Sequence, residues 1–205
     1  MCHYIESICI EKGQILNLSF HNKRFNTTRK ELFGSSSFVN LEDFINAETH
    51  FERTKCRVIY DQEIIDVSYQ PYKLPSINNL SLVFDNEINY KYKSTDRNRI
   101  NQLFDLRNDA DDILIVKNGL VTDTSYCNVA LWNGMEWETP AKPLFKGTRR
   151  EQLLGNFTIK ERNIYLEDIY TYNKIRLFNA MIQFGEIELM INKFTLKNTI
   201  HIKTK

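Results

Sequence analysis

Apolar and polar positions alternate from Glu6 to Gly13 and again from Gln14 to Phe20, with Lys12-Gly13 between the runs. A period of two sends successive side chains to opposite faces, so the pattern predicts a hairpin. The spacing then lengthens: Asn22 suits an N-cap for a helix over Lys23 to Phe33, closed by Gly34 and the loop Ser35 to Ser37. A second short helix is predicted over Leu41 to Ala47. Cys56 to Tyr60 and Glu63 to Tyr69 read as strands about an Asp61-Gln62 turn, and Leu80 to Phe84 as another. Asp85 to Thr95 is polar and rich in Lys and Tyr, after which Asp96 begins a helical pattern carried by Ile100, Leu103, Phe104 and Leu106.

Two Asn-Gly pairs dominate the rest of the chain. Asn118-Gly119 joins the runs Asp112 to Lys117 and Leu120 to Thr124, and Asn133-Gly134 joins Val129 to Trp132 and Met135 to Thr139. A two-residue type I′ turn needs positive φ at both central residues, which Asn-Gly supplies, so a meander of antiparallel strands is predicted. Pro140 and Pro143 close it. Gly147 to Leu154 reads as a short helix stopped at Gly155-Asn156, and strands at Tyr165, Lys174 to Phe178, Ile187 to Ile191 and Thr199 to Ile202 complete an α+β arrangement. The polar stretch before Asp96 suggests two α/β domains, residues 1–90 and 91–205.

Bulk properties narrow the chemistry. The 205 residues carry 27 basic and 26 acidic side chains, a net charge of +1, so no global field favours nucleic acid or an anionic membrane. No run approaches the roughly 20 apolar residues of a membrane span, and Met1 to Ser7 lacks the features of a signal peptide. Cys2, Cys9, Cys56 and Cys127 are scattered without a C-x-x-C and are expected to be reduced, in a cytoplasmic protein. His3, His21, His50 and His201 are equally dispersed and offer no metal-ligand spacing, so no metal is expected.

Several polar residues sit where chemistry is possible. Arg24 near the start of the first helix would add a forked cation to backbone N–H donors, a natural anion site, although a solvated helix Arg is the blander alternative. Lys91 and Lys93 share a strand face if extended. Asp123 lies inside the second strand of the first Asn-Gly hairpin, and either chemistry or a turn-forming role suits it. Gly147 permits close backbone approach at a helix start followed by Thr148, Arg149 and Arg150, which also suits a solvated basic turn.

Taken together and in chain order, these stretches resemble the class IV aminotransferases, pyridoxal-phosphate enzymes that include branched-chain and D-amino-acid aminotransferases and 4-amino-4-deoxychorismate lyase. Phe20-His-Asn-Lys-Arg24-Phe25 is similar to the family's H-x-x-R-[LF] and implies that Arg24 binds the cofactor phosphate. Tyr90-Lys-Tyr-Lys93-Ser-Thr-Asp-Arg97 is similar to the lysine segment of the lyase branch, whose spacing selects Lys93 over Lys91 as the residue that bonds the cofactor. Arg97 then either adds positive charge beside that lysine or contacts the ring hydroxyl. Val121-Thr-Asp123-Thr-Ser-Tyr-Cys-Asn128 matches T-E-x-x-x-x-N with Asp for Glu, implying Asp123 at the pyridine nitrogen and Asn128 beside the cofactor. Pro143-Leu-Phe-Lys-Gly147-Thr148-Arg149 resembles L-x-G-[ILT]-x-R, implying phosphate contacts at Gly147, Thr148 and Arg149. Asn179-Ala180-Met181 resembles a turn that closes over the phosphate.

The resemblance covers nearly the whole chain, with an abbreviated start: of the family's Y-G-D-G-x-F-E-T segment only Glu6-Ser7 is recognisable. It implies the two-domain fold of D-amino-acid aminotransferase-like enzymes, pyridoxal 5'-phosphate as cofactor, a small amino substrate and a homodimer. The Asp-Arg after the lysine and Thr122-Asp-Thr-Ser125 favour the lyase branch, which makes 4-aminobenzoate and pyruvate for folate synthesis. An aminotransferase of branched-chain or D-amino acids is the alternative, and a noncatalytic cofactor-binding paralogue a further one.

Overall fold

The computed structural model describes residues 3–201, except the side chains of 198–201. Backbone contacts divide the chain into two compact units, Met1–Leu74 with Tyr92–Asp96, and Pro75–Lys91 with Arg97–Lys205. The expected division fell at residue 90; here residues 75–91 group with the second unit and the short 92–96 segment with the first.

In the first unit, β1 (Tyr4–Glu11), β2 (Gln14–Ile15), β3 (Thr54–Tyr60) and β4 (Ile64–Pro71) form an antiparallel sheet in the order β2-β1-β3-β4. Helix α1 (Leu18–Phe33) contributes Phe25 to a core with Ile8, Ile10, Leu41, Cys56, Val58 and Tyr60. Burying each such side chain stabilises by roughly 1.5–3 kcal/mol. The helix starts five residues earlier than the sequence pattern predicts. Asn17, with φ 56°, turns the chain out of β2 and into the helix. Asn22 is therefore inside the helix, where its side chain accepts from Leu41 N at 2.9 Å and donates to Asn40 at 2.7 Å. The helix predicted over Leu41 to Ala47 is a single 3-10 turn, Leu41–Phe44, capped by Asn40.

Because β2 pairs only Ile10 and Glu11, the other end of β1 keeps open backbone groups, and residues 92–96 take them. Ile5 N donates to Lys93 O at 2.8 Å, Tyr4 and Ser94 form a bridge, and Thr95 N donates to His3 O at 2.9 Å. Tyr92 donates to Glu31 at 2.6 Å and packs edge-on against Tyr4.

The second unit holds two sheets. One has the order β13-β5-β6-β7, with β5 (Leu80–Phe84), β6 (Asp112–Lys117), β7 (Leu120–Thr124) and β13 (Leu196–His201). The other has the order β10-β9-β8-β11-β12, from β8 (Asn128–Trp132), β9 (Trp137–Pro140), β10 (Lys160–Arg162), β11 (Lys174–Phe178) and β12 (Ile187–Met190). The two Asn-Gly hairpins thus belong to different sheets, not to one meander. The chain passes between them at Ser125 to Cys127, where Thr124 N donates to Cys127 O at 2.9 Å. Asn118 (φ 52°) and Gly119 (φ 76°) have the positive φ pair of the expected turn. Instead of a strand at Tyr165 there is one bridge to Leu120, followed by a 3-10 helix at Leu166–Thr171. Helix α2 (Asn98–Asp105) packs Ile100 and Leu103 with Val83, Ile113 and Ile115, and α3 (Thr148–Gly155) packs Leu153 with Ala130, Ile159 and Phe178. Of the last expected strand, Ile202 lies outside the described residues, as does Cys2.

Candidate active site

The sequence-predicted residues fall into one cluster in each unit. In the first, Glu6, Ile8 and Ile10 share the core-facing side of β1, so a carboxylate enters an apolar layer. Glu6 has no exposed surface. His21 and Arg24, three apart on α1, meet it there. His21 Nδ1 lies 2.5 Å from Glu6 Oε2, Arg24 Nε donates to Oε1 at 2.8 Å and Arg24 Nη2 to Oε2 at 2.5 Å. Burial alone would raise the Glu6 pKa, but the Arg24 charge and the bonds from His21 and Arg24 outweigh it and hold the group at about 2. His21 is pushed below its usual value, chiefly by burial against the raising effect of Glu6, and the charge of Lys93 also reaches it. Facing an ionised carboxylate, His21 Nδ1 serves as the donor to Glu6. Sequence reading assigned no role to Glu6 or His21. The signals were the lone carboxylate in phase with Ile8 and Ile10, and the His-x-x-Arg spacing.

Lys93 belongs to this unit, half-buried on the segment zipped to β1, whereas Lys91 is exposed and groups with the second unit.

In the second unit, Asp123 is 5% exposed on β7. Its Oδ1 accepts from Asn128 Nδ2 at 2.8 Å and its Oδ2 from Phe145 N at 3.0 Å. Asn128 also donates to Phe145 O at 2.8 Å and accepts from Gly147 N at 3.2 Å. One amide thereby joins the strand carboxylate to the start of α3. The approach is close enough that a Cβ on Gly147 would lie 2.2 Å from Asn128 Oδ1. Burial pushes the Asp123 pKa up to about 6, against hydrogen bonds from Asn128 and Phe145 and the more distant charge of Arg150. No cation hydrogen-bonds Asp123 among the described residues; Arg150 is itself held by Pro140 O and Glu161.

The turn from Ser125 to Cys127 is gripped from three sides. Arg97 Nη2 donates to Ser125 O at 2.7 Å with its guanidinium 4.2 Å from the Tyr126 ring centroid and 5.7 Å from that of Tyr90. Asn179 Nδ2 donates to Tyr126 O at 3.2 Å, while its Oδ1 accepts from Met181 N and Ile182 N, which makes Asn179-Ala180 a closed turn after β11. Asp112, buried, accepts from Ser125 N at 3.3 Å. Thr148 and Arg149 are buried at the first turn of α3, and Arg149 Nη1 donates to Gln152 at 2.7 Å. Within this unit the structure therefore links Asp123, Asn128 and Gly147 directly, and Arg97 with Asn179 through the turn. No helix among the described residues is long and apolar enough to cross a membrane, and no cluster of His, Cys, Asp and Glu among them has the makings of a metal site.

The model of the family described as amino-transferase class IV matches residues 4–189. The chain belongs to that family. It is 37% identical over 180 residues to an uncharacterized protein of Haemophilus influenzae, covering 86% of this chain and 96% of that one. Among solved structures it is similar to a "putative 4-amino-4-deoxychorismate lyase" of Haemophilus somnus, at 32% identity and TM-score 0.84, over 89% of this chain and 97% of that one. A "putative amino-acid aminotransferase" of Mesorhizobium loti shares the fold at TM-score 0.77 and 17% identity, over 92% and 99% of the two chains. The α+β fold of the class IV enzymes is the fold of this chain.

Proposed function

We propose that this class IV chain is a pyridoxal-phosphate-dependent lyase that converts 4-amino-4-deoxychorismate to 4-aminobenzoate and pyruvate. The observation that carries the reading is the 32% identity, at TM-score 0.84, to the Haemophilus somnus structure over nearly the full length of both chains. The segment Lys93-Ser-Thr-Asp-Arg97 supports the same branch.

The residues present fit the cofactor. Asp123 is a buried carboxylate with amide donors on both oxygens and no hydrogen-bonded cation among the described residues, a setting that a protonated ring nitrogen would complete. Gly147 lets the start of α3 approach closely, with oriented N–H groups at Thr148 and Arg149 for a phosphate. When bound, the cofactor supplies the electron-withdrawing ring that lets the substrate α-carbon release its proton. In this reading Lys93 would bond the cofactor, be freed when the substrate amine takes its place, and then take the α-carbon proton at Nζ and deliver it to the enolpyruvyl group that leaves as its carbon–oxygen bond to the substrate ring breaks. Asp123 keeps the ring nitrogen charged, and Asn128 holds Asp123 in place. By the family resemblance, Arg24 of the first unit and, in the second, the Thr148 and Arg149 amides and the Asn179-Ala180 turn would each be phosphate ligands. Arg97, fixed between Tyr90 and Tyr126, orients the turn beside Asp123. The reading also carries a homodimer and a cytoplasmic location as proposals.

The test supplies purified, cofactor-loaded protein with aminodeoxychorismate and no amino acceptor. Continuous release of pyruvate and 4-aminobenzoate is expected. Stalling with amino acids until a 2-oxo acid is added, with aminodeoxychorismate untouched, would instead establish the transaminase chemistry after which the family is named. Borohydride trapping and peptide mapping should place the cofactor on Lys93; finding it on Lys91 would overturn the lysine assignment.

A further inference from the structure

Glu6 has no place in the roles above, yet it is among the most completely engaged side chains of the first unit. An ionised carboxylate with no exposed surface is costly unless every charge and lone pair near it is matched. Here both oxygens are: Arg24 approaches side-on through Nε and Nη2, and His21 adds Nδ1. Side-on pairing fixes the guanidinium plane as well as its position, because two parallel bonds permit one orientation. It engages one edge of the guanidinium and turns the opposite edge away from Glu6. Arg24 retains 17% side-chain exposure while Glu6 has none, so the pair is buried on the carboxylate side and open on the guanidinium side.

We propose that Glu6 is a positioning residue that holds the Arg24 guanidinium in the one plane and position from which it meets the cofactor phosphate, with His21 bracing the far side of the carboxylate. The inference rests on the reading above that Arg24 is a phosphate ligand. Charge alone argues the reverse: a carboxylate beside an anion site repels the anion, so removing it should tighten phosphate binding. The two accounts thus predict opposite signs.

The experiment measures the affinity of the apo-protein for pyridoxal phosphate and for pyridoxal, which lacks the phosphate, in the parent, Arg24→Ala, Glu6→Gln and the double variant. Arg24→Ala and Glu6→Gln should each reduce the preference for the phosphorylated form by roughly ten- to a hundredfold. The double variant should lose no more than Arg24→Ala, since Glu6 acts only through Arg24. If Arg24→Ala lowers the preference and Glu6→Gln leaves or raises it, Glu6 positions nothing and the phosphate role of Arg24 stands. Equal loss of both ligands in Glu6→Gln would mean a structural role and also overturn the inference. If Arg24→Ala leaves the preference intact, the phosphate reading falls and this inference with it. Should Glu6→Gln fail to fold, Glu6→Asp replaces it: the charge stays but the shorter side chain loses the two-point contact, so the preference should drop, and full retention would refute the proposal.

Discussion

Glu6 and Asp123 are both buried carboxylates, yet their pKa values are displaced in opposite directions, Glu6 down to about 2 and Asp123 up to about 6. Burial acts on both in the same sense, so the partners make the difference. Glu6 sits against Arg24 and a donating His21; Asp123 has only amide donors in contact. Amide hydrogen bonds fix a carboxylate in space without neutralising it, whereas a guanidinium does both. A buried carboxylate that is precisely held but electrostatically incomplete is therefore the better candidate for a cationic ligand. One that is complete is the better candidate for holding something else in place.

The largest expected effect separates the two on chemistry. Asp123→Asn keeps the shape and part of the hydrogen bonding but cannot hold a proton on the ring nitrogen, so turnover should fall by orders of magnitude while the loaded protein keeps its visible absorbance. Near-normal turnover would show that the electron sink depends on another residue.

The next effect concerns stability and reverses the roles. Glu6→Ala leaves the Arg24 charge without its buried partner and should cost about 3–5 kcal/mol in denaturant unfolding. A cost near zero would mean that the pair is not formed in solution. Asp123→Asn should instead stabilise the apo-protein at neutral pH, by up to about 3 kcal/mol, because burial raises the Asp123 pKa from 3.8 to about 6.

The pH profile of apo-protein stability sharpens the same contrast, because the signs differ. The contribution of Glu6 is present above its ordinary value of 4.5 and is lost as pH falls toward about 2. Asp123, raised from 3.8, disfavours the fold as it ionises, so stability falls as pH rises through about 6. Asp123→Asn should abolish the upper limb and leave the lower one. The smallest effect is Gly147→Ala: displacing Asn128 should cost about 1–3 kcal/mol and lower turnover through Asp123. An unchanged variant would show that Asn128 has room to move.

Much of this was legible in the sequence where local chemistry decides local structure. The Asn118-Gly119 hairpin, β3, β4, β5 and the start of α3 at Thr148 follow from period-two runs and turn residues. The start of α1 was missed because the alternation of Gln14 to Phe20 resembles a strand until Asn17 adopts left-handed dihedrals. That the two hairpins join different sheets was not legible, since strand pairing depends on non-local partners. Asp123 and Arg24 stood out through motif spacing. Glu6 and His21 did not, because a carboxylate on an apolar face gains its meaning only once the following helix supplies His21 and Arg24, 15 and 18 residues later.

The most direct test of the contrast is a titration of side-chain carboxyl carbons by NMR, with Asp123 and Glu6 assigned from the Asn and Gln variants, before and after adding pyridoxal phosphate. The account predicts that the Asp123 midpoint, near 6 in the apo-protein, drops once the ring nitrogen provides its missing cation, while Glu6 stays near 2. An Asp123 midpoint that does not move when the cofactor binds would contradict it.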